Sequence, residues 1–145
     1  MRAVIQRVSE ARVLVGAEVV GEVECGLLVL VCAQPQDTFE TAQKFLDKLL
    51  RLRIFADEQG KMNRSVQDVN GGVLLVSQFT LAADVSRGTR PGFSGAAGPE
   101  MARVWFDHLV AIARRAHPRV ASGVFAADMQ VHLVNDGPVT IPIDM

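Results

Sequence analysis

This sequence predicts a single α/β domain with a mixed, mostly antiparallel sheet and two main helices. Three observations lead there. Leu27–Cys32 and Val73–Val76 are continuous aliphatic runs, the pattern of strands buried on both faces. Two segments of helical period, one around Phe39–Leu50 and one opening at Pro99, separate groups of strands instead of alternating with single strands. The 145 residues suit one domain, 1–145, and with 49% hydrophobic but only 6% aromatic residues the core must be aliphatic.

Taken in order, Arg2–Val8 alternates weakly and reads as a strand. Ala11–Val15 and Glu18–Glu24 flank Gly16-Ala17, a two-residue hairpin signal. Gly26 opens the first buried run. The period then becomes helical through Phe39, Ala42, Leu46, Leu49 and Leu50, with Asp37 and Glu40 spaced as a capping box. Asp57–Lys61 is a polar turn, and Gly71-Gly72 leads into the second buried run, which continues directly into Ser77-Gln78-Phe79-Thr80. Ala83–Gly98 is irregular and glycine-rich. Pro99 suits the first position of a helix whose apolar face is Met101, Val104, Trp105, His108, Leu109, Ile112 and Ala116, and Pro118 ends it. Val120–Phe125, Met129–Val134 and Val139–Ile143 read as three closing strands. There is no internal repeat, no GxGxxG and no P-loop.

A net charge of −1 gives no global basic field, so a nucleic-acid partner would have to be met by a local patch. The N-terminus lacks the apolar core of a signal peptide, and no apolar run reaches the ~18–20 residues of a membrane span, so a cytoplasmic protein without a membrane partner is expected. Cys25 and Cys32 lack CxxC spacing and read as reduced core or near-core residues.

The usual catalytic machinery is missing. His108 falls on a helical apolar face, His117 closes a helix beside Arg114 and Arg115 where a cation suits the dipole, and His132 alternates with Val131 and Leu133. None has motif spacing to a serine, cysteine or acid, and there is no GxSxG and no HExxH, so neither a metal nor another cofactor is expected. What remains is sparse. Ser77 and Thr80 either cap a strand or, with Gln78 and Phe79, present backbone N–H groups and a hydroxyl to a ligand, an oxyanion-type site without a base. Arg87 and Arg90 among glycines serve either solubility or phosphate binding. Arg7 is either a surface charge or the holder of a backbone carbonyl. Gly137-Pro138 is a pair before whose proline a cis peptide costs only ~0.5–1 kcal/mol, so its carbonyls can point where ordinary chain cannot aim them.

Together these segments resemble the bacterial D-aminoacyl-tRNA deacylases of the DTD type over nearly the whole length. The resemblance is carried by Ile5-Gln6-Arg7-Val8, Arg53-Ile54-Phe55, Gly60–Asn63, Val76–Asp84, Arg87-Gly88 with Arg90-Pro91, Phe125–Val131, and Asn135-Asp136-Gly137-Pro138-Val139-Thr140. It implies a barrel-like homodimer that hydrolyses the ester between a D-amino acid and the terminal adenosine of tRNA. It further implies a cis Gly137-Pro138 pair entering the partner's pocket, held by Arg7, with Ser77, Gln78, Phe79 and Thr80 lining the other side. An L-residue would drive its side chain into that main chain, whereas glycine would be accepted. Hydrolysis would be assisted by the tRNA 2′-OH, and Arg87 and Arg90 would contact tRNA. Three alternatives stand beside this: a hydrolase with Thr80 as nucleophile, a non-catalytic nucleic-acid-binding module, and a sibling deacylase in which the Gly137-Pro138 bond is trans and the pocket admits some L-residues.

Overall fold

The computed structural model describes residues 1–145. Its elements are β1 (Arg2–Val15), β2 (Glu18–Val23), β3 (Gly26–Cys32), α1 (Phe39–Arg51), β4 (Phe55–Ala56), β5 (Met62–Arg64), β6 (Gly72–Ser77), a 3-10 turn (Phe79–Ala82), α2 (Pro99–Ala116), β7 (Val120–Ser122) and β8 (Gln130–Asp144). The main sheet runs β2-β1-β3-β6-β7, and β8 pairs with the free side of β1. All pairings of β1 are antiparallel, while β3–β6 and β6–β7 are parallel. The sheet is therefore mixed and mostly antiparallel, as the sequence predicts.

The sheet curls until β2 meets β7. Gly21 makes that approach possible, because a Cβ there would lie 2.5 Å from the Ser122 carbonyl oxygen. The result is nearly a closed barrel. Its inner face packs Val8, Ala11, Val13, Leu28, Leu74 and Val76. Its outer face, through Ala3, Ile5, Leu27, Val29, Val73 and Leu75, is covered by α1 and α2. Successive residues of β3 thus enter opposite cores, which is why that strand shows no polar alternation. Phe45, Leu46 and Leu49 of α1 are fully buried, each contributing roughly 1.5–3 kcal/mol by removal from water.

Several expectations need correction. The two strands expected within residues 2–15 are one. β1 pairs with β3 over Arg2–Val8, then with β2 over Ala11–Val15, and β8 bridges the change of partner. The strands expected at 129–134 and 139–143 are likewise the single strand β8. Helix α1 is capped by Thr38 with Thr41, not by Asp37 with Glu40; the Asp37 carboxylate instead accepts from the Met1 ammonium at 2.5 Å and from Gln34 N–H at 2.7 Å. The buried face of α2 is rotated toward Phe106, Val110 and Ala113, leaving Met101, Val104 and Ala116 exposed. His117 does not face solvent at the helix end: it is buried, with Nε2 donating to the Gly71 carbonyl at 2.7 Å. Cys32 is buried but Cys25 is exposed, and both are free thiols. No helix is long and apolar enough to cross a membrane.

Candidate functional site

Two structures stand out, and they lie apart. The first is a cavity of about 680 Å³ at the C-terminal ends of the parallel strands β3 and β6. A ligand site at this end is common in parallel sheets, because the chain leaves each strand there and opens a crevice. Its floor includes Cys32, Ser77 and Gln78, and Phe79 stands at its edge; α2 supplies Trp105 and Phe106; the segment after β7 supplies Phe125, Ala126, Ala127 and Met129. None of its lining side chains is charged.

The floor turns sharply after β6. Gln78 N–H still bonds the Val31 carbonyl at 2.8 Å, and the first bond of the 3-10 turn runs from Leu81 N–H to the Gln78 carbonyl at 3.2 Å. The N–H groups of Phe79 and Thr80 precede that bond and have no partner within the turn. Arg2 braces the same turn by donating to the Leu81 carbonyl at 3.2 Å. Cys32 donates weakly to the Ala33 carbonyl at 3.3 Å and the Phe79 carbonyl at 3.7 Å. Burial pushes its pKa up, which disfavours the thiolate that a nucleophile would need. Phe79 is half exposed at the mouth, edge-on to Phe93 with centroids 4.9 Å apart. Thr80 is exposed, lies outside the lining, and its hydroxyl accepts from Gln78 Nε2. Arg87 and Arg90 are exposed on the 83–98 loop and make no ion pair.

The second structure is a bulge in β8. Gln6 pairs with Thr140 and Val8 with Asn135, so residues 136–139 stand opposite Arg7 alone. The bulge is fastened at both ends. Asn135 Oδ1 accepts from Val139 N–H at 2.8 Å, and Asn135 Nδ2 donates to Thr140 Oγ1 at 3.1 Å. Arg7 Nε donates to the Asp136 carbonyl at 2.8 Å, and Arg7 Nη1 to the Ile54 carbonyl at 2.6 Å. The Gly137-Pro138 peptide is cis, and both residues are exposed. Arg7 is thus the carbonyl holder, one of the two roles its position allowed.

Within one chain the bulge does not reach the cavity. Arg7 stands level with Leu27 and Val73, while Ser77 is level with Val31 and Ala3, and three strand spacings separate β8 from β6. Four residues along and three strands across place them of the order of 15–20 Å apart. None of Arg7, Gly137 and Pro138 lines the cavity. The structure also brings in walls that sequence reasoning assigned no role: Cys32, Phe93, Trp105 and Met129. Phe125–Met129 stood within the resemblance, and that was the only signal for it.

A family model described as D-Tyr-tRNA(Tyr) deacylase matches residues 4–144. The chain belongs to that family. It is therefore an aminoacyl-tRNA deacylase, an ester hydrolase. The D-aminoacyl-tRNA deacylase of Polaromonas naphthalenivorans (strain CJ2) is 62% identical over 148 residues, covering 99% of this chain and 96% of that one. That of Paracidovorax citrulli (strain AAC00-1) is 64% identical over 143 residues, covering 99% and 92%. Among solved structures, one named c-Myc DNA Unwinding Element Binding Protein superposes with a TM-score of 0.95 at 38% identity, covering 100% of this chain and 99% of that one. A probable eukaryotic D-amino acid tRNA deacylase superposes with a TM-score of 0.84 at 18% identity, covering 99% and 98%, a likeness of fold alone.

Proposed function

We propose that the deacylase acts on D-aminoacyl-tRNA as a homodimer, each protomer placing its Gly137-Pro138 bulge at the mouth of the partner's cavity. The observation that carries this reading is a lining without a charged side chain: no carboxylate or imidazole is there as a general base, and the Met1 ammonium is taken up by Asp37, Gln34 and the Met145 carbonyl. A cavity of this kind can position an ester and exclude a wrong shape, but it cannot activate water by proton abstraction.

The chemistry then divides between protein and RNA. Water adds to the ester carbonyl carbon, the bond to the ribose oxygen breaks, and that oxygen leaves with a proton relayed by the neighbouring 2′-OH. The backbone N–H of Phe79, with Ser77 and Gln78 beside it and the Thr80 N–H at the rim, faces the oxygen that becomes negative. One such donor is worth about 10²–10³ in rate. Chirality is decided at the bulge. With ammonium and ester both fixed, an L-residue directs its Cβ into the main chain at Gly137-Pro138, whereas a D-residue directs only hydrogen there. Glycine has no Cβ, so glycyl-tRNA is a substrate too. Arg7 holds the bulge in register, and Arg87 and Arg90 contact tRNA phosphates.

The Thr80-nucleophile reading finds no base near that hydroxyl, whose hydrogen-bond partner is the Gln78 amide. The name of the 38%-identical solved structure favours a second reading, a nucleic-acid-binding protein. One experiment addresses all three: single-turnover deacylation of D-aminoacyl-tRNA ending in adenosine or in 2′-deoxyadenosine. The proposal expects cleavage of the first and loss of at least ~100-fold on the second. Equal rates reject RNA assistance, and no cleavage of either leaves the binding reading.

A further inference from the structure

Helix α1 and the loop just past it carry a row of cations on the outer face that the cavity does not use and the fold uses only in part. Lys44, Lys48, Arg51 and Arg53 line a shallow groove of about 540 Å³, completed by Leu52, Met145 and one acid, Asp47. These side chains concentrate positive charge on a chain whose total is −1. Part of the row is accounted for locally. Lys44 pairs with Glu40 at 2.6 Å, and Arg51 Nε donates to the Asp47 carbonyl at 3.1 Å. The Asp47 carboxylate accepts from Gln43 at 3.0 Å. Lys48 and Arg53 form no ion pair. Complementing the helix dipole explains cations in the last turn, Lys48 and Arg51, but Arg53 lies beyond the helix end, in a loop.

The place of the row gives it a use. Arg53 adjoins Ile54, whose carbonyl is one of the two that Arg7 grips, the other being that of Asp136 in the bulge. The row therefore starts beside the base of the bulge and recedes along α1, with Lys48 and Lys44 about 6 Å apart by helical rise. A strand whose 3′ end lies where the bulge enters a cavity would carry its preceding phosphates past these residues.

We propose that Lys48, Arg51 and Arg53 form a phosphate-binding track for the tRNA strand leading to the 3′ end. This rests on the substrate reading above. Arg51 and Arg53 suit phosphate oxygens bidentately, and Lys48 acts as a point charge. The groove's exposure and shallowness fit a backbone that is gripped without being read by sequence.

The test is the double variant Lys48→Glu/Arg53→Glu, with Lys48→Arg/Arg53→Lys as the charge-preserving control. Fluorescence anisotropy measures binding of uncharged tRNA across a salt series. Deacylation is measured in parallel on D-aminoacyl-tRNA and on D-aminoacyl-adenosine, which has no upstream phosphates. The track predicts at least ~10-fold weaker tRNA binding, a log–log salt slope shallower by about 1.4 for two lost contacts, and a matching fall in kcat/KM on tRNA. Activity on the adenosine ester stays at the wild-type level, and the control variant, which keeps both charges but loses the Arg53 fork, keeps the wild-type salt slope with no more than about a threefold loss of affinity. Unchanged tRNA affinity and salt slope overturn the inference, as does an equal loss on both esters. A wild-type protein inactive on both esters would refute the substrate reading, and the binding arm would still decide the track.

Discussion

Replacing Gly137 by alanine adds one methyl at the point where the account places chiral selection. Gly137 has φ of +153°, a backbone region L-residues rarely adopt. The new Cβ would lie 2.7 Å from Val139 N and 2.7 Å from Val139 Cγ2, with Arg7 Nη2 3.4 Å away. Val139 N cannot simply withdraw, because it donates to Asn135 Oδ1 at 2.8 Å. Holding an L-residue in such a region costs of the order of 1–3 kcal/mol. Giving up the Asn135 bond costs about 1 kcal/mol more. If 2–3 kcal/mol of this total is felt in the transition state, kcat/KM on a D-aminoacyl-tRNA falls about 30- to 150-fold. The assay is single-turnover deacylation of matched D- and L-esters, with a circular-dichroism melt to establish that the variant is folded. A folded variant within twofold of wild type on the D-ester, and still sparing the L-ester, would refute the reasoning.

Three further predictions concern the clip on the bulge, the cavity wall and the turn at Asp57. Asn135→Ala removes the clip across the bulge and should lower kcat/KM on D-esters by about 5- to 30-fold, by loss of one or two hydrogen bonds of ~1 kcal/mol each; unaltered kinetics would make the clip dispensable. Ala126, in the cavity wall, has φ of +63°, so Ala126→Gly should relieve more strain than it adds in chain entropy, for a net gain of about 0.5–1 kcal/mol. Calorimetry should show Tm rising by roughly 1–4 °C, and a fall in Tm would contradict this. The Asp57 carboxylate is held below its ordinary value of 3.8, first by the Lys61 N–H and also by the Gln59 N–H. A lowered pKa means its stabilisation is present above that value and is lost as pH falls through the lower folded one. The difference in urea midpoint between wild type and Asp57→Asn should therefore be constant above about pH 5 and shrink as pH drops below 3.8; a difference that does not vary with pH would refute it.

The strand and turn signals of the sequence were legible where they were local. The runs at Leu27 and Val73, the turn at Gly16-Ala17 and the helix start at Pro99 each rest on a few adjacent residues, and each lies where expected. Continuity was not legible. Ser9 and Glu10 look like a break, yet β1 runs through them because β8 pairs alongside while β1 changes partners. Asn135–Pro138 looks like a turn between strands, yet the Asn135 side chain folds it into a bulge within one strand. On α2, apolar residues occur at so many positions that the 3.6-residue period fits more than one face. Packing chose the face with Phe106, Val110 and Ala113. The site divides the same way. Ser77–Thr80 and Asn135–Thr140 stood out as compact motifs, whereas the cavity walls Cys32, Phe93, Trp105 and Met129 come from four distant segments. No spacing along the chain marks residues that only the closing of the barrel brings together.

The central claim is that main chain at Gly137-Pro138 rejects substrate at a single carbon, Cβ. Three esters on the same tRNA isolate that carbon: D-alanyl, L-alanyl and glycyl. The account predicts that the D-alanyl and glycyl esters are cleaved at comparable kcat/KM and the L-alanyl ester at least ~100-fold more slowly, a difference of about 2.7 kcal/mol in transition-state free energy. Cleavage of the L-alanyl ester within tenfold of the D-alanyl ester would contradict it.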